Sequence, residues 1–144
     1  MNTRSLATSS PTPGARRKAF HVALWLVQAG LAVMFVGMGV SKSTIPIAEL
    51  AQKFVWPGEV PAALVRFIGV SEILGGLGLV LPGLTKRKPG LTPWAALGLV
   101  TVMLLAGIFH ATRGELRALP VNAAFGALAA LVWWGRTRKV PLGR

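Results

Sequence analysis

The sequence predicts an all-α integral membrane protein: a bundle of four transmembrane helices with both termini on the cytoplasmic side. Three observations carry that expectation. Four long apolar runs follow one another along 144 residues, the basic residues gather between and beyond those runs, and the mean hydropathy is +0.59. Only 14% of residues are charged against 53% hydrophobic, whereas soluble domains carry about a quarter of charged residues. The length suits one compact unit and leaves no room for a second domain of ordinary size.

Residues 1–19 are rich in Ser, Thr, Pro and Gly and end in Arg16, Arg17 and Lys18, so they are expected to form a disordered basic tail. The first run, residues 21–41, has no charged residue, and about 20 apolar residues suffice to cross a bilayer core. It is longer than a signal-peptide core and no A-x-A cleavage signal follows, so it reads as a retained helix. The second run, 61–84, is apolar apart from Arg66 and Glu72. The third, 91–110, contains no acidic or strongly basic residue. The fourth, 118–135, opens with Pro120, which a first helical turn accepts. A soluble helix would show a polar face, and the first and third runs show none. The membrane domain is thus expected over residues 20–136, with a basic tail at 137–144.

Orientation follows from charge. Arg4, Arg16, Arg17 and Lys18, the loop residues Lys86, Arg87 and Lys88, and Arg136, Arg138, Lys139 and Arg144 would all lie on one side of a four-helix bundle. They are 11 of the 16 basic residues, and the positive-inside rule makes that side cytoplasmic, in a bacterial plasma membrane. Trp25, Trp94, Trp133 and Trp134 fall near the same ends, as an interfacial aromatic belt requires. On the outer side, "IAELAQKF" puts Ile47, Leu50, Ala51, Phe54 and Val55 opposite Glu49, Gln52 and Lys53. That spacing predicts a short amphipathic helix lying on the interface or over the bundle. "WPGEVP" then turns the chain back, and "ATRGELR" joins the last two helices tightly.

The inventory excludes much chemistry. With no cysteine there are no disulfides, thiol redox steps, thiolate metal sites or covalent haem links. His21 and His110 begin and end different helices on opposite sides, so they cannot clamp one haem, and no metal site is expected. No nucleic-acid motif accompanies the net charge of +12.

Glu72 is the residue that most needs explaining. At 1.5 Å per residue it lies about 18 Å from the inner edge of a core about 30 Å thick. An ionised carboxylate this deep costs about 3 kcal/mol or more, so the group must take a proton or find a partner. Gly69, Gly75 and Gly76 share its helix face at i−3, i+3 and i+4, and small residues mark where membrane helices approach closely. Candidate partners at the outer ends of the other helices are Lys42, His110 and Asn122, with Ser41 beside Lys42. Lys42 and Glu72 differ in depth by about 12 Å at helical rise. Polar groups of this kind often serve only as interhelical glue, at about 0.6 kcal/mol each, and Arg66 and Lys42 could simply snorkel. For Glu72 a carboxyl is a costly way to make glue, which favours a functional pocket opening outward.

Three segments, "FVGMGVSK", "GVSEILGGLGLVLPG" and "HATRGELRALPVN", resemble the DoxX-like family of small four-helix membrane proteins over roughly residues 20–136. The most specific part of the resemblance is Gly69, Glu72, Gly75 and Gly76, with Gly39 and Lys42 as a shorter match. The resemblance implies a quinone-side role, because the family's namesake subunit belongs to a thiosulfate:quinone oxidoreductase and other members accompany redox or detoxification systems. A distant animal relative instead acts as an assembly chaperone. The expectation is a quinone-linked oxidoreductase component or accessory subunit. Its polar pocket would be formed by Glu72, Lys42, His110 and Asn122, with a quinone as its ligand. Its partners would be the bilayer and a membrane redox subunit or a second copy. The alternative is a non-enzymatic assembly factor that binds partner helices through its glycine face. A transporter is least favoured, since no inverted repeat is visible.

Overall fold

The computed structural model describes residues 12–143, and they are all helix and turn. Helix α1 spans Pro13–Thr44. Thr12 caps it by accepting a hydrogen bond from the Ala15 amide at 3.4 Å, and Pro13 occupies a position where its missing N–H costs nothing. Residues 13–19, expected within a disordered tail, are therefore helical, while residues 1–11 of that tail lie outside the described residues. The physical reason is local: good helix formers follow the cap, and Phe20 packs edge-on against Trp134 with centroids 6.1 Å apart. At the other end the helix stops at Ile45, the residue before Pro46.

A short helix α2, Ile47–Lys53, and a tight turn at Trp56–Gly58 form the first loop at that end. Leu50 is buried, while Glu49, Gln52 and Lys53 are exposed. Phe54 and Val55, expected on the inward side, lie beyond the helix and are exposed. Helices α3, Ala62–Leu84, and α4, Leu91–Thr112, follow. Gly114 turns the chain with a φ of 73°, a conformation that favours glycine. Helix α5 spans Leu119–Trp134 and loosens into a wider, π-type turn at Gly135–Lys139.

Among the described residues, four segments are long and apolar enough to cross a membrane: Pro13–Thr44, Ala62–Leu84, Leu91–Thr112 and Leu116–Lys139. The chain is a multi-pass membrane protein. Helix α3 packs most heavily on α1 and also on α4, α4 packs on α5, and a lighter α1–α5 contact closes the ring. Leu24, Leu31 and Phe35 of α1 meet Leu79 of α3, Ala96 and Leu99 of α4, and Ala129 and Val132 of α5 in the core. The outward faces are as apolar as the core, with Leu26, Val33, Phe67, Leu104 and Ile108 exposed. Hydrocarbon, not water, is the solvent that such a surface fits. Both described chain ends lie at one end of the bundle, with the loop between α3 and α4; α2 lies at the opposite end. The expected C-terminal tail is not free either, since Val140 is buried and the 135–139 turn folds against α1.

Candidate functional site

Glycines set the site. Where α1 and α3 cross, a Cβ on Gly39 would fall 2.5 Å from the Gly69 carbonyl oxygen, and one on Gly69 would fall 2.8 Å from the Gly39 oxygen. A Cβ on Gly76 would meet Val36 Cγ2 at 2.9 Å, again on α1. Gly75 differs: its Cβ would meet Leu99 of α4 at 2.5 Å. The glycines expected on one face thus serve two neighbours, Gly69 and Gly76 admitting α1 and Gly75 admitting α4. A single i±3/i±4 face on a helix is broad enough to touch both.

Close approach of α1 and α3 brings Lys42 to Glu72. The Lys42 ammonium donates to Glu72 Oε1 at 2.6 Å, and the two side chains are 13% and 2% exposed. The depth difference expected from helical rise is closed by side-chain direction. Every Cα–Cβ bond leans toward its own helix N-terminus. The two helices are antiparallel, so Lys42 leans toward the middle of the bundle along α1 and Glu72 leans toward the α2 end along α3. Arg66, expected to snorkel, instead donates from Nη1 to the Lys42 carbonyl at 2.5 Å, which ties the end of α1 to α3. Glu72 Oε2 and Ser43 Oγ are buried without a partner among the described residues.

Beside the pair lies a cavity of about 280 Å³ under α2, with Lys42, Ser41, Lys53 and Trp56 in its wall and Met38 and Leu50 among its apolar lining. Lys42 reaches this space; Glu72 stands behind it. The two other residues expected in the pocket are not there. His110 Nδ1 lies 2.5 Å from Glu115 Oε2. Arg113 donates from Nε to Glu115 Oε1 at 2.8 Å and from Nη2 to Glu59 Oε2, so His110 belongs to a clasp between the two loops at the α2 end. The Arg113 and His110 contacts, in that order, hold the Glu115 carboxyl below the usual carboxylate range. Asn122 lies in the first turns of α5, its Nδ2 buried and unpartnered among the described residues.

A second polar cluster, missed in the sequence, sits at the opposite end. Arg136 is 2% exposed. It donates from Nε to Gln28 Oε1 at 2.6 Å and from Nη1 to the Val140 carbonyl at 3.3 Å. Its Nη1 also lies 3.0 Å from His21 Nδ1, and Trp25 Nε1 lies 3.1 Å from His21 Nε2. A neutral imidazole accepts at one nitrogen only, so His21 serves one of these donors at a time. Gln28 in turn donates to the Leu79 carbonyl of α3 at 2.5 Å. The available signal was Gln28 seven residues after His21, a polar pair on one face of an otherwise apolar helix.

No curated protein and no solved structure matches this chain. The model of the DoxX-like family matches residues 26–132, a stretch that contains the Gly39–Gly69 crossing, the Lys42–Glu72 pair, Gln28 and most of all four spans. The chain belongs to the DoxX-like family.

Proposed function

We propose that this membrane protein is a quinone-linked redox component, seated in the plasma membrane with its basic end in the cytoplasm. One observation carries the reading: a buried ion pair whose cation opens into a mostly apolar cavity under α2. A quinone is an apolar ring with carbonyl acceptors, and it needs apolar walls and a fixed donor. Lys42 is that donor, and Glu72 holds the ammonium in place so that the charge is neutralised when the cavity is empty. Reduction to the quinol takes two electrons and two protons. A partner redox subunit would supply the electrons, and Lys42 can pass a proton to the quinone oxygen and recover one from the outer surface. The net positive charge of the terminal-bearing end supports the orientation.

The test uses the full chain in mild detergent and a short-chain ubiquinone, read by quenching of Trp56 in the cavity wall. Saturable quenching is expected, lost in Lys42→Met and in Trp56→Phe. Quenching that is unsaturable, or equal in wild type and Lys42→Met, would overturn the reading.

A second reading, helix docking by an assembly factor, has its own support. Gly30 faces open space, and Ala23 precedes it at seven-residue spacing on the exposed face of α1. Small residues on a lipid-facing stripe allow another helix close approach. Gly30→Leu separates the readings: it should release a bound partner or second copy while leaving quinone binding intact.

A further inference from the structure

The chain has four acidic side chains, and among the described residues none of them is at the end that carries nine cations. Glu49, Glu59 and Glu115 lie in the loops of the opposite end, and Glu72 is held by Lys42 in mid-bundle. The counter-charge for the basic end must therefore come from outside the chain. The fold concentrates that need at one place. Helix α1 is 32 residues long, about 48 Å at helical rise, against a hydrocarbon core of about 30 Å. Its first two turns project beyond the core and carry Arg16 and Arg17 alongside the C-terminal turn.

That turn is locked from below. Arg136, held by Gln28 and by the Val140 carbonyl, fixes the 135–139 turn over α1. Lys139 is thereby placed with Nζ 5.2 Å from the Trp134 ring centroid. Between the two elements is a cavity of about 320 Å³ lined by Arg16, Arg17, Phe20, Trp134, Lys139 and Val140. Arg16, Arg17 and Lys139 border it, and Phe20 and Trp134, packed edge to face, give it an apolar wall. Three basic side chains at the edge of an apolar hollow leave both a charge and an apolar surface to be satisfied. A ligand with a phosphate and a hydrocarbon tail satisfies both halves at once. The volume is at the small end for ligand pockets, about 300–1,000 Å³, which suits a headgroup and the start of an acyl chain.

We propose that this cavity is a binding site for an acidic phospholipid, its phosphate between Arg16, Arg17 and Lys139 and the start of its acyl chain against Phe20 and Trp134. Basic pockets at the headgroup level recognise anionic lipid in this way. The site is distinct from the Lys42–Glu72 cavity at the other end, and it stands whether or not a quinone binds there.

The experiment is native mass spectrometry of the full chain in mild detergent with equimolar phosphatidylglycerol and phosphatidylcholine. Wild type should retain phosphatidylglycerol with a preference on the order of tenfold or more. A variant with Arg16→Gln, Arg17→Gln and Lys139→Gln should lose that preference. A variant with Lys86→Gln, Arg87→Gln and Lys88→Gln, which removes the same charge from the neighbouring loop, should keep it. Equal loss in both variants, or no lipid preference in wild type, overturns the proposal. A wild-type competition arm does not depend on either variant folding: displacement of phosphatidylglycerol by inorganic phosphate at the same excess would mean a free-anion site and overturn it too.

Discussion

Gly39 of α1 and Gly69 of α3 meet backbone to backbone, so closely that a Cβ on either would fall within 2.8 Å of the other's carbonyl oxygen. This contact registers the ion pair. Lys42 follows Gly39 by three residues and Glu72 follows Gly69 by three, so each lies about 4.5 Å beyond the crossing on its own helix. Because the helices run in opposite directions, the two positions lie on opposite sides of the crossing. Their side chains lean back toward it, each toward its own N-terminus. A lysine and a glutamate span the remainder, and the pair closes at 2.6 Å.

The crossing makes one substitution take opposite signs at neighbouring positions. Gly37 faces open space, so Gly37→Ala should stabilise the helix by up to about 1 kcal/mol through propensity alone. Gly39→Ala places the same methyl against a carbonyl oxygen and a backbone amide of α3, which cannot move cheaply. Overpacking of this kind costs about 1–3 kcal/mol. Thermal unfolding in detergent should show Gly37→Ala above wild type and Gly39→Ala below it; a matched shift in both would mean that α1 and α3 do not meet here.

The ion pair should be asymmetric. Lys42→Met leaves Glu72 buried at 2% exposure with no cation, whereas Glu72→Gln leaves Lys42 able to reach the cavity. Removing one partner of a buried pair costs about 3–5 kcal/mol, and Lys42→Met should approach that range. Glu72→Gln should cost distinctly less, since Gln keeps a hydrogen-bond acceptor for the ammonium. The double variant should be more stable than the sum of the singles predicts, because neither stranded charge remains. Strict additivity in denaturation midpoints would show the pair to be uncoupled.

The clasp at the α2 end should respond to acid. Arg113 and His110 hold the Glu115 carboxyl below its ordinary range. A group lowered in the folded state contributes stability that is fully present above its unfolded value, about pH 4.3. That contribution is lost as pH falls through the lower folded value. Glu115→Gln should therefore melt below wild type at neutral pH, and the gap should shrink as pH falls below about 4. A gap that is constant from neutral pH into acid would mean that the carboxylate charge contributes nothing.

How much of this was legible follows from the period and range of each signal. Four spans and the Glu72 carboxyl stood out because apolar runs and a lone acid within one are local features. The partition of Gly69 and Gly76 toward α1 and Gly75 toward α4 was not legible, because three glycines within eight residues do not say which neighbour each meets. Lys42 was named as a partner for Glu72, yet depth along a helix axis alone kept them apart; side-chain lean had to be added. His110 was drawn to the pocket by its position, when the nearer Glu115 captures it. Arg136 reads in the sequence only as one of the cations beyond the last apolar run, and only its pairing with Gln28, 108 residues away, pulls it inside.

That pairing carries the last prediction. Arg136 is buried with no carboxylate paired to it among the described residues, and Gln28 both accepts from its guanidinium and donates to the Leu79 carbonyl. Gln28→Leu keeps the volume but strands the Arg136 Nε donor and removes the tie from α1 to the Leu79 carbonyl of α3. An unpartnered buried group costs about 1–3 kcal/mol, more when charged, so this variant should be among the least stable single changes in the bundle. Adding Arg136→Met should recover part of the loss, since replacing both members of a buried polar pair by apolar groups is often close to neutral. The same double change should free the C-terminal turn that Arg136 holds over α1. Limited trypsin treatment reads this directly, through faster cleavage at Arg138 in the double variant despite its recovered melting temperature. Recovery of stability with Arg138 still protected would show that the turn is held by Val140 packing and not by the guanidinium.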